Sequence, residues 1–218
     1  QLMINGDGVS DYDVAILPEG QGVEVTKIHK ADSPNYVFVD VAIACDAKAG
    51  DYTLRFTNGN RKYDYVYTIA ERKAGSRERT SFTTADFVYL IMPDRFANGN
   101  PDNDNTDTTV EKAVRSNPGR LHGGDLQGMI DHLDYIADLG ATAIWSTPLL
   151  LDNENGASYH GYSCSDYYLI DPRYGTNELY RTYVDECHKR GLKVIMDIVP
   201  NHSSTTHWWY NDQPFEDW

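Results

Sequence analysis

The sequence predicts a chain of two parts: an all-β sandwich of the immunoglobulin-like kind, followed by an α/β region built on a parallel sheet. Three observations carry this reading. Period-two runs rich in β-formers fill the first third, a polar aperiodic stretch follows, and strands then alternate with helices. The boundaries fall at 1–75 for the sandwich, 76–85 for the linker and 86–218 for the α/β region.

In the first part, "DYDVAIL", "GVEVTKI", "NYVFVDVAIA", "YTLRF" and "KYDYVYTIA" are separated by turn signals, the arrangement of a small antiparallel sandwich. Asn58-Gly59 between the last two is the dipeptide that a type I′ hairpin prefers. The stretch "ERKAGSRERTS" (71–81) is charged and lacks periodicity, as exposed linkers do. After it, "DFVYLIM" (86–92), "ATAIWST" (141–147) and "KVIMDIV" (193–199) read as short strands covered on both faces. Between the first two, Leu126, Met129, Ile130, Leu133, Ile136 and Ala137 share one helical face, and Gly140 suits the position just past its end. Between the last two, Thr176 is placed to cap a helix that Lys189, Arg190 and Gly191 close. The long connections 93–125 and 148–175 leave the C-terminal ends of strands, where α/β folds keep their sites.

A net charge of −14 over 218 residues argues against nucleic acid and anionic membrane as partners, since both need clustered Lys and Arg. No apolar stretch reaches the ~20 residues of a membrane span. With 16 Tyr and 4 Trp the chain is rich in flat amphipathic faces suited to stacking on sugar rings, although a strand tyrosine is more often simply packed. Cys45, Cys164 and Cys187 form no C-x-x-C pair and read as small core residues. Gln1 opens directly on folded-looking sequence, compatible with a removed leader. A periplasmic or secreted location is slightly favoured over a cytoplasmic one.

Three loops hold candidate chemistry. In the first, "DRFANGNPDNDN" gathers Asn98, Asn100, Asn103 and Asp104, and "HGGDLQG" adds Asp125 and the Gly123 carbonyl. Hard oxygen donors of this kind suit calcium, and a solvated Asn/Asp turn is the competing account. In the second, "YHGYSCSDYYLIDPRYGT" concentrates His160, Tyr162 and Asp166, a mixture of stacking ring, imidazole and carboxylate suited to sugar hydroxyls. A tyrosine-rich loop packing on its own domain is the alternative. In the third, Asp197 interrupts an apolar run beside Asn201 and His202. An unpaired carboxylate in a buried strand costs several kcal/mol, so Asp197 is either a site residue at the strand's end or a structural charge with buried partners.

Taken in order, "DRFANGNPDNDN" with "HGGDLQG", then "YHGY", "SDYY" and "DPRYGT", then "DIVPNH", resemble the α-amylase superfamily, glycoside hydrolase family 13, and within it the cyclomaltodextrinase, neopullulanase and maltogenic amylase group. The likeness spans residues 86 to 218 closely, and a sandwich ahead of the barrel also resembles that group. It implies that the α/β region is an incomplete (β/α)8 TIM barrel holding its first three strands, with the start of the loop domain after strand three. It implies a retaining α-1,4-glycosidase acting on starch-derived oligosaccharides, cyclodextrins or pullulan. Tyr162 would stack under the sugar, His160 and His202 would bond its hydroxyls, and Asp197 would orient site residues without acting as nucleophile. Structural calcium would be held by Asn98, Asn100, Asn103, Asp104, Gly123 and Asp125, with Asn100 standing where members often have Asp. Asn201 and Asp166 would be structural near the site. In the family the nucleophile and acid/base come from strands four and five, so this chain is expected to show no turnover alone and to need the remainder of its own barrel. A homodimer through the sandwich is a candidate assembly, and the alternative functions are a non-catalytic carbohydrate-binding or assembly module and a trehalose-type transglycosidase of the same family.

Overall fold

Alternating apolar positions build the first set of strands: β1 (Leu2–Asn5), β2 (Asp13–Leu17), β3 (Val23–Lys30), β4 (Tyr36–Ile43), β5 (Gly50–Asn58) and β6 (Arg61–Ile69). They pair antiparallel in two three-stranded sheets, β1-β4-β3 and β2-β5-β6. Val14, Ile16, Val23, Val37, Val39, Leu54 and Phe56 from both sheets fill one buried cluster. The β5–β6 hairpin forms, but one residue later than the dipeptide suggests. Asn58 pairs with Arg61, leaving Gly59 and Asn60 as the loop. Of these only Gly59 has positive φ, +55°, and a glycine at the first central position is the II′ pattern rather than I′.

The computed structural model describes all residues, Gln1–Trp218, and falls into two units, Gln1–Thr80 with Asn211–Trp218, and Ser81–Tyr210. The last eight residues, expected with the α/β region, thus belong to the sandwich unit. There Asp212 accepts from Ser33 Oγ (2.7 Å) and Asn35 Nδ2 (2.9 Å), and Phe215 stacks on Phe38 at 5.6 Å.

The second unit is organised by β7 (Val88–Ile91), β8 (Ala143–Ser146) and β11 (Lys193–Met196), parallel and ordered β11-β8-β7. A short antiparallel pair, β9 (Leu150–Leu151) with β10 (Asp166–Ile170), lies in the connection after β8. Helices α1 (Pro93–Phe96), α2 (Leu126–Asp131), α3 (Leu133–Asp138) and α4 (Asn177–Lys189) complete the frame. The expected single helix over 126–138 is divided at His132, which has φ −113° and ψ 12°, yet Leu126, Met129, Leu133 and Ile136 remain fully buried on one side. In α4 the Thr176 side chain accepts from Leu179 N at 3.0 Å, as its capping position predicts.

The three parallel strands are covered on one face only. Ile91 and Ile144 pack with the helices, whereas Leu90 and Trp145, paired neighbours on the opposite face, are 56% and 39% exposed. In a closed barrel, side chains from other strands fill this inward face.

Candidate functional site

Asp197 follows the last residue of β11, rather than lying within the strand as its apolar flanks suggest. It is half-buried, and its Oδ2 accepts from Trp145 Nε1 and Tyr162 OH, each at 3.1 Å. Trp145 stands on β8 one pair across from Ile195, so the pleat puts the indole on the same face as Asp197. In the sequence Trp145 reads only as a residue of a strand. Its position on the inward face near the strand's C-terminal end was the available signal.

Tyr162 is the hub. Its phenol reaches Asp197, its carbonyl accepts from His202 Nε2 at 3.0 Å, and its backbone N–H donates to His160 Nδ1 at 3.0 Å. Asn201 Nδ2 lies 3.2 Å from His202 Nδ1, so Asn201 donates there while the other ring nitrogen donates to Tyr162. His202 is therefore committed to holding the Tyr162 backbone, a different duty from bonding sugar hydroxyls directly. His160 lies 5.8 Å from the Tyr162 ring, and burial lowers its pKa, favouring neutral imidazole near neutral pH. With Nδ1 accepting, its proton sits on Nε2. Tyr162 itself is 38% exposed, leaving ring surface for a ligand. Asp166 is engaged locally, its Oδ1 accepting from Tyr168 N at 2.7 Å, and Tyr167 OH donates to the carbonyls of Val199 (2.9 Å) and His202 (2.8 Å).

A buried polar chain that sequence reading missed fixes this loop. Glu111, fully buried, accepts from Ser158 N (2.8 Å) and Oγ (2.6 Å) and pairs with Arg120 at 2.9 Å. Arg173 donates to Ser158 Oγ (2.9 Å), to both oxygens of Asp171 (2.9 and 2.6 Å) and to the Asp152 carbonyl (2.5 Å). Asp152 accepts from Ser163 N at 3.1 Å, the residue after Tyr162, and burial with nearby Asp171 pushes its pKa up to about 7. Gly161 has φ +76°, and a Cβ there would sit 2.2 Å from the Pro148 carbonyl, so only glycine allows the turn between His160 and Tyr162.

In the first loop, Asp125 caps α2 through Gly128 N (2.7 Å) and also accepts from Gly99 N (3.0 Å), Asn100 N (2.9 Å) and Asn103 Nδ2 (3.2 Å). Four donors fill its two oxygens, which makes it a clamp for the loop rather than the open ligand expected. Asn100 Oδ1 is likewise taken, by Asp102 N at 3.3 Å. Asn98 Oδ1 and Asn103 Oδ1 are different: both are buried with no hydrogen-bond donor. Asp104 Oδ1 lies 2.7 Å from Asn98 Nδ2, and a Cβ on Gly123 would come within 2.5 Å of the same Asp104 oxygen. Orphaned amide oxygens around a carboxylate are a donor set that fits a hard cation such as calcium.

Both parts of the chain are similar to known protein families. Residues 90–216 match the family described as "Alpha amylase, catalytic domain", and residues 1–73 match "Cyclomaltodextrinase, N-terminal". Neopullulanase 2 of Thermoactinomyces vulgaris is 38% identical over 80% of this chain and 32% of its own length. A cyclomaltodextrinase of Geobacillus thermopakistaniensis is 43% identical over 59% of this chain and 20% of its own. The crystal structure of an Anoxybacillus α-amylase aligns at a TM-score of 0.51 with 45% identity, over 58% of this chain and 26% of that one. The chain thus spans about a third or less of the length of these relatives.

Proposed function

Since the chain belongs to the α-amylase catalytic-domain family, we propose that its second unit is the sugar-binding wall of an α-glucan hydrolase acting on starch-derived oligosaccharides, cyclodextrins or pullulan. The observation that carries this reading is the half-exposed Tyr162, its phenol bonded to Asp197 and its backbone to His202 and His160, in the loop beyond the C-terminal end of β8. A ring so fixed offers a flat apolar face to a pyranose, and the neutral His160 offers an Nε2–H to its hydroxyls.

Retaining hydrolysis needs two carboxylates about 5–5.5 Å apart, one as nucleophile and one as acid/base. Asp197 has the wrong surroundings for attack. Its Oδ2 already serves an indole and a phenol, so its role is to hold these rings in place. The cleaving pair then belongs on further barrel strands, and the 218 residues alone bind without turnover. Calcium, bound among Asn98, Asn103, Asp104 and Gly123, would neutralise the Asp104 carboxylate and satisfy the two orphaned amide oxygens, stiffening the loop after β7.

Titrating maltoheptaose into the chain while following tryptophan fluorescence tests the reading, because Trp145 shares Asp197 with Tyr162. Saturable quenching or enhancement that disappears in Tyr162→Ala is expected. An unchanged isotherm in that variant, or sustained hydrolysis by a chain verified to end at Trp218, would overturn it.

A further inference from the structure

The turn that carries His160 and Tyr162 rests on a carboxylate with no cation of its own. Asp152 directly follows β9, and its side chain is 1% exposed. Its Oδ2 accepts from Ser163 N at 3.1 Å and its Oδ1 from Glu154 N at 3.3 Å. Arg173, the cation beside it, is committed elsewhere. All five guanidinium N–H groups are taken, by the two oxygens of Asp171, by Ser158 Oγ and by the carbonyls of Glu111 and Asp152. None serves the Asp152 carboxylate. Asp171 adds a second negative charge, its Oδ2 accepting from Asp152 N at 3.2 Å, and Cys164 is a buried thiol pushed up to about 11. Burial, with Asp171 alongside, raises Asp152 to about 7.

The ring closest to this carboxylate is that of His160. Its Nδ1 lies 4.0 Å from Asp152 Oδ2 while accepting from Tyr162 N at 3.0 Å. An ionised Asp152 and an unprotonated Nδ1 are two acceptors side by side, an arrangement that a proton on either one improves. The phenol rings of Tyr159 and Tyr162 flank the imidazole at 5.5 and 5.8 Å. Glu111 also acts on the ring, but Arg120 and Ser158 hold its charge fixed.

We propose that Asp152 is a positioning residue that sets the tautomer of His160, and through it the shape of the His160–Tyr162 turn and the bond offered to a sugar hydroxyl. The proposal deepens the reading that Tyr162 and His160 bind a glucan, and rests on it. With Asp152 protonated, its O–H faces Nδ1, that nitrogen stays an acceptor for Tyr162 N–H, and Nε2 keeps its proton as a donor toward the sugar. When Asp152 loses its proton to solvent, the imidazole stays neutral, because burial lowers its pKa, but it exchanges tautomer. Nε2 releases a proton and Nδ1 takes one, which it donates to Asp152 Oδ2, so one proton in all leaves the site. A closure of about 1 Å completes that bond. Tyr162 N–H then loses its acceptor, and Nε2 turns from donor to acceptor.

Two measurements on the 218-residue chain test the proposal. Ring-nitrogen NMR shifts of His160, identified by their loss in His160→Gln, report the tautomer in the free protein, and maltoheptaose titration followed by tryptophan fluorescence reports binding. The wild type is expected to show the Nε2–H tautomer at about pH 6 and the Nδ1–H tautomer at about pH 9, and to bind about tenfold more weakly at the higher pH. Asp152→Asn places an NH2 that always donates toward Nδ1, at the cost of the Ser163 bond, and Asp152→Ser is a second neutral variant. Both should lose the switch and the pH dependence of binding, whatever their absolute affinity. A single wild-type tautomer at both pH values, or a switch that persists in the two variants, overturns the proposal and leaves the glucan reading standing. A switch with pH-independent binding overturns the positioning role. A switch under Asp152 control with no maltoheptaose binding at either pH overturns the glucan reading and not the assignment of Asp152.

Discussion

The loop after β7 and the loop after β8 solve the same problem with different chemistry. Each must hold irregular chain at the mouth of the sheet, where buried backbone groups need partners. The loop after β8 is centred on a buried cation, Arg173, which pairs with Asp171 and donates to Ser158, whose hydroxyl in turn donates to Glu111 of the loop after β7. The loop after β7 uses carboxylates that receive backbone N–H groups, Asp125 from Gly99, Asn100 and Gly128, and Asp94 from His122 and Gly123. It ends with two buried amide oxygens that nothing donates to. One loop is centred on a buried guanidinium, and the other is left with buried amide oxygens that lack a donor.

Replacing Arg173 by Met should break this contrast most sharply. It strands buried Asp171 and Glu111-linked Ser158, and chemical denaturation should report a loss of about 3–5 kcal/mol; Lys should not rescue it, because the bidentate geometry is lost. Asp125→Ala removes a cap and leaves several buried N–H groups without an acceptor, for a loss of about 2–4 kcal/mol in the same assay. Calcium at about 100 times its dissociation constant should add about 2.7 kcal/mol, seen as a raised melting temperature that a chelator reverses. Asn98→Ala should abolish that rise while Arg173→Met leaves the calcium dependence in place, which separates the two loops.

A pH titration sharpens the comparison further. Asp152 has its pKa raised from 3.8 to about 7, chiefly by burial, so the folded chain binds a proton there that the unfolded chain has already lost. Stability from this group therefore declines as pH rises from about 4 to about 7 and is flat above, and Asp152→Asn should remove that slope. The smallest effect is expected for Tyr162→Phe, which loses one half-exposed hydrogen bond to Asp197 worth about 1 kcal/mol while keeping the ring. Its sugar binding should remain close to wild type, in contrast to Tyr162→Ala.

Much of this arrangement is legible in the sequence, because local periodicity is a local property. The strands of the sandwich, the α4 cap at Thr176 and the parallel order of β7, β8 and β11 follow from spacing that neighbouring residues enforce. The candidate residues Tyr162, His160, His202 and Asp197 lie in the connections that leave β8 and β11 at their C-terminal ends, which is the pattern that singles them out in the sequence. Their partners were not legible. Trp145 precedes Asp197 by 52 residues, and Ser158 lies 47 from Glu111, so no local pattern reports these bonds. The same holds for Asp125, whose acidic character suggests a metal ligand until the backbone N–H groups around it are seen.

By itself the sequence determined the element order, the polar loops at the strand ends and the donors available to a sugar or a cation. Tertiary structure decided which of those donors remain free. His202 became a clamp on Tyr162, Asp125 a cap, and Asn98 and Asn103 the holders of unpaired oxygens. It also decided which tyrosines stand in water, leaving Tyr63 and Tyr65 exposed on the core side of their sheet. The physical reason is that residue type fixes what a group can bond, whereas the long-range packing that folding completes fixes which bonds it has already made.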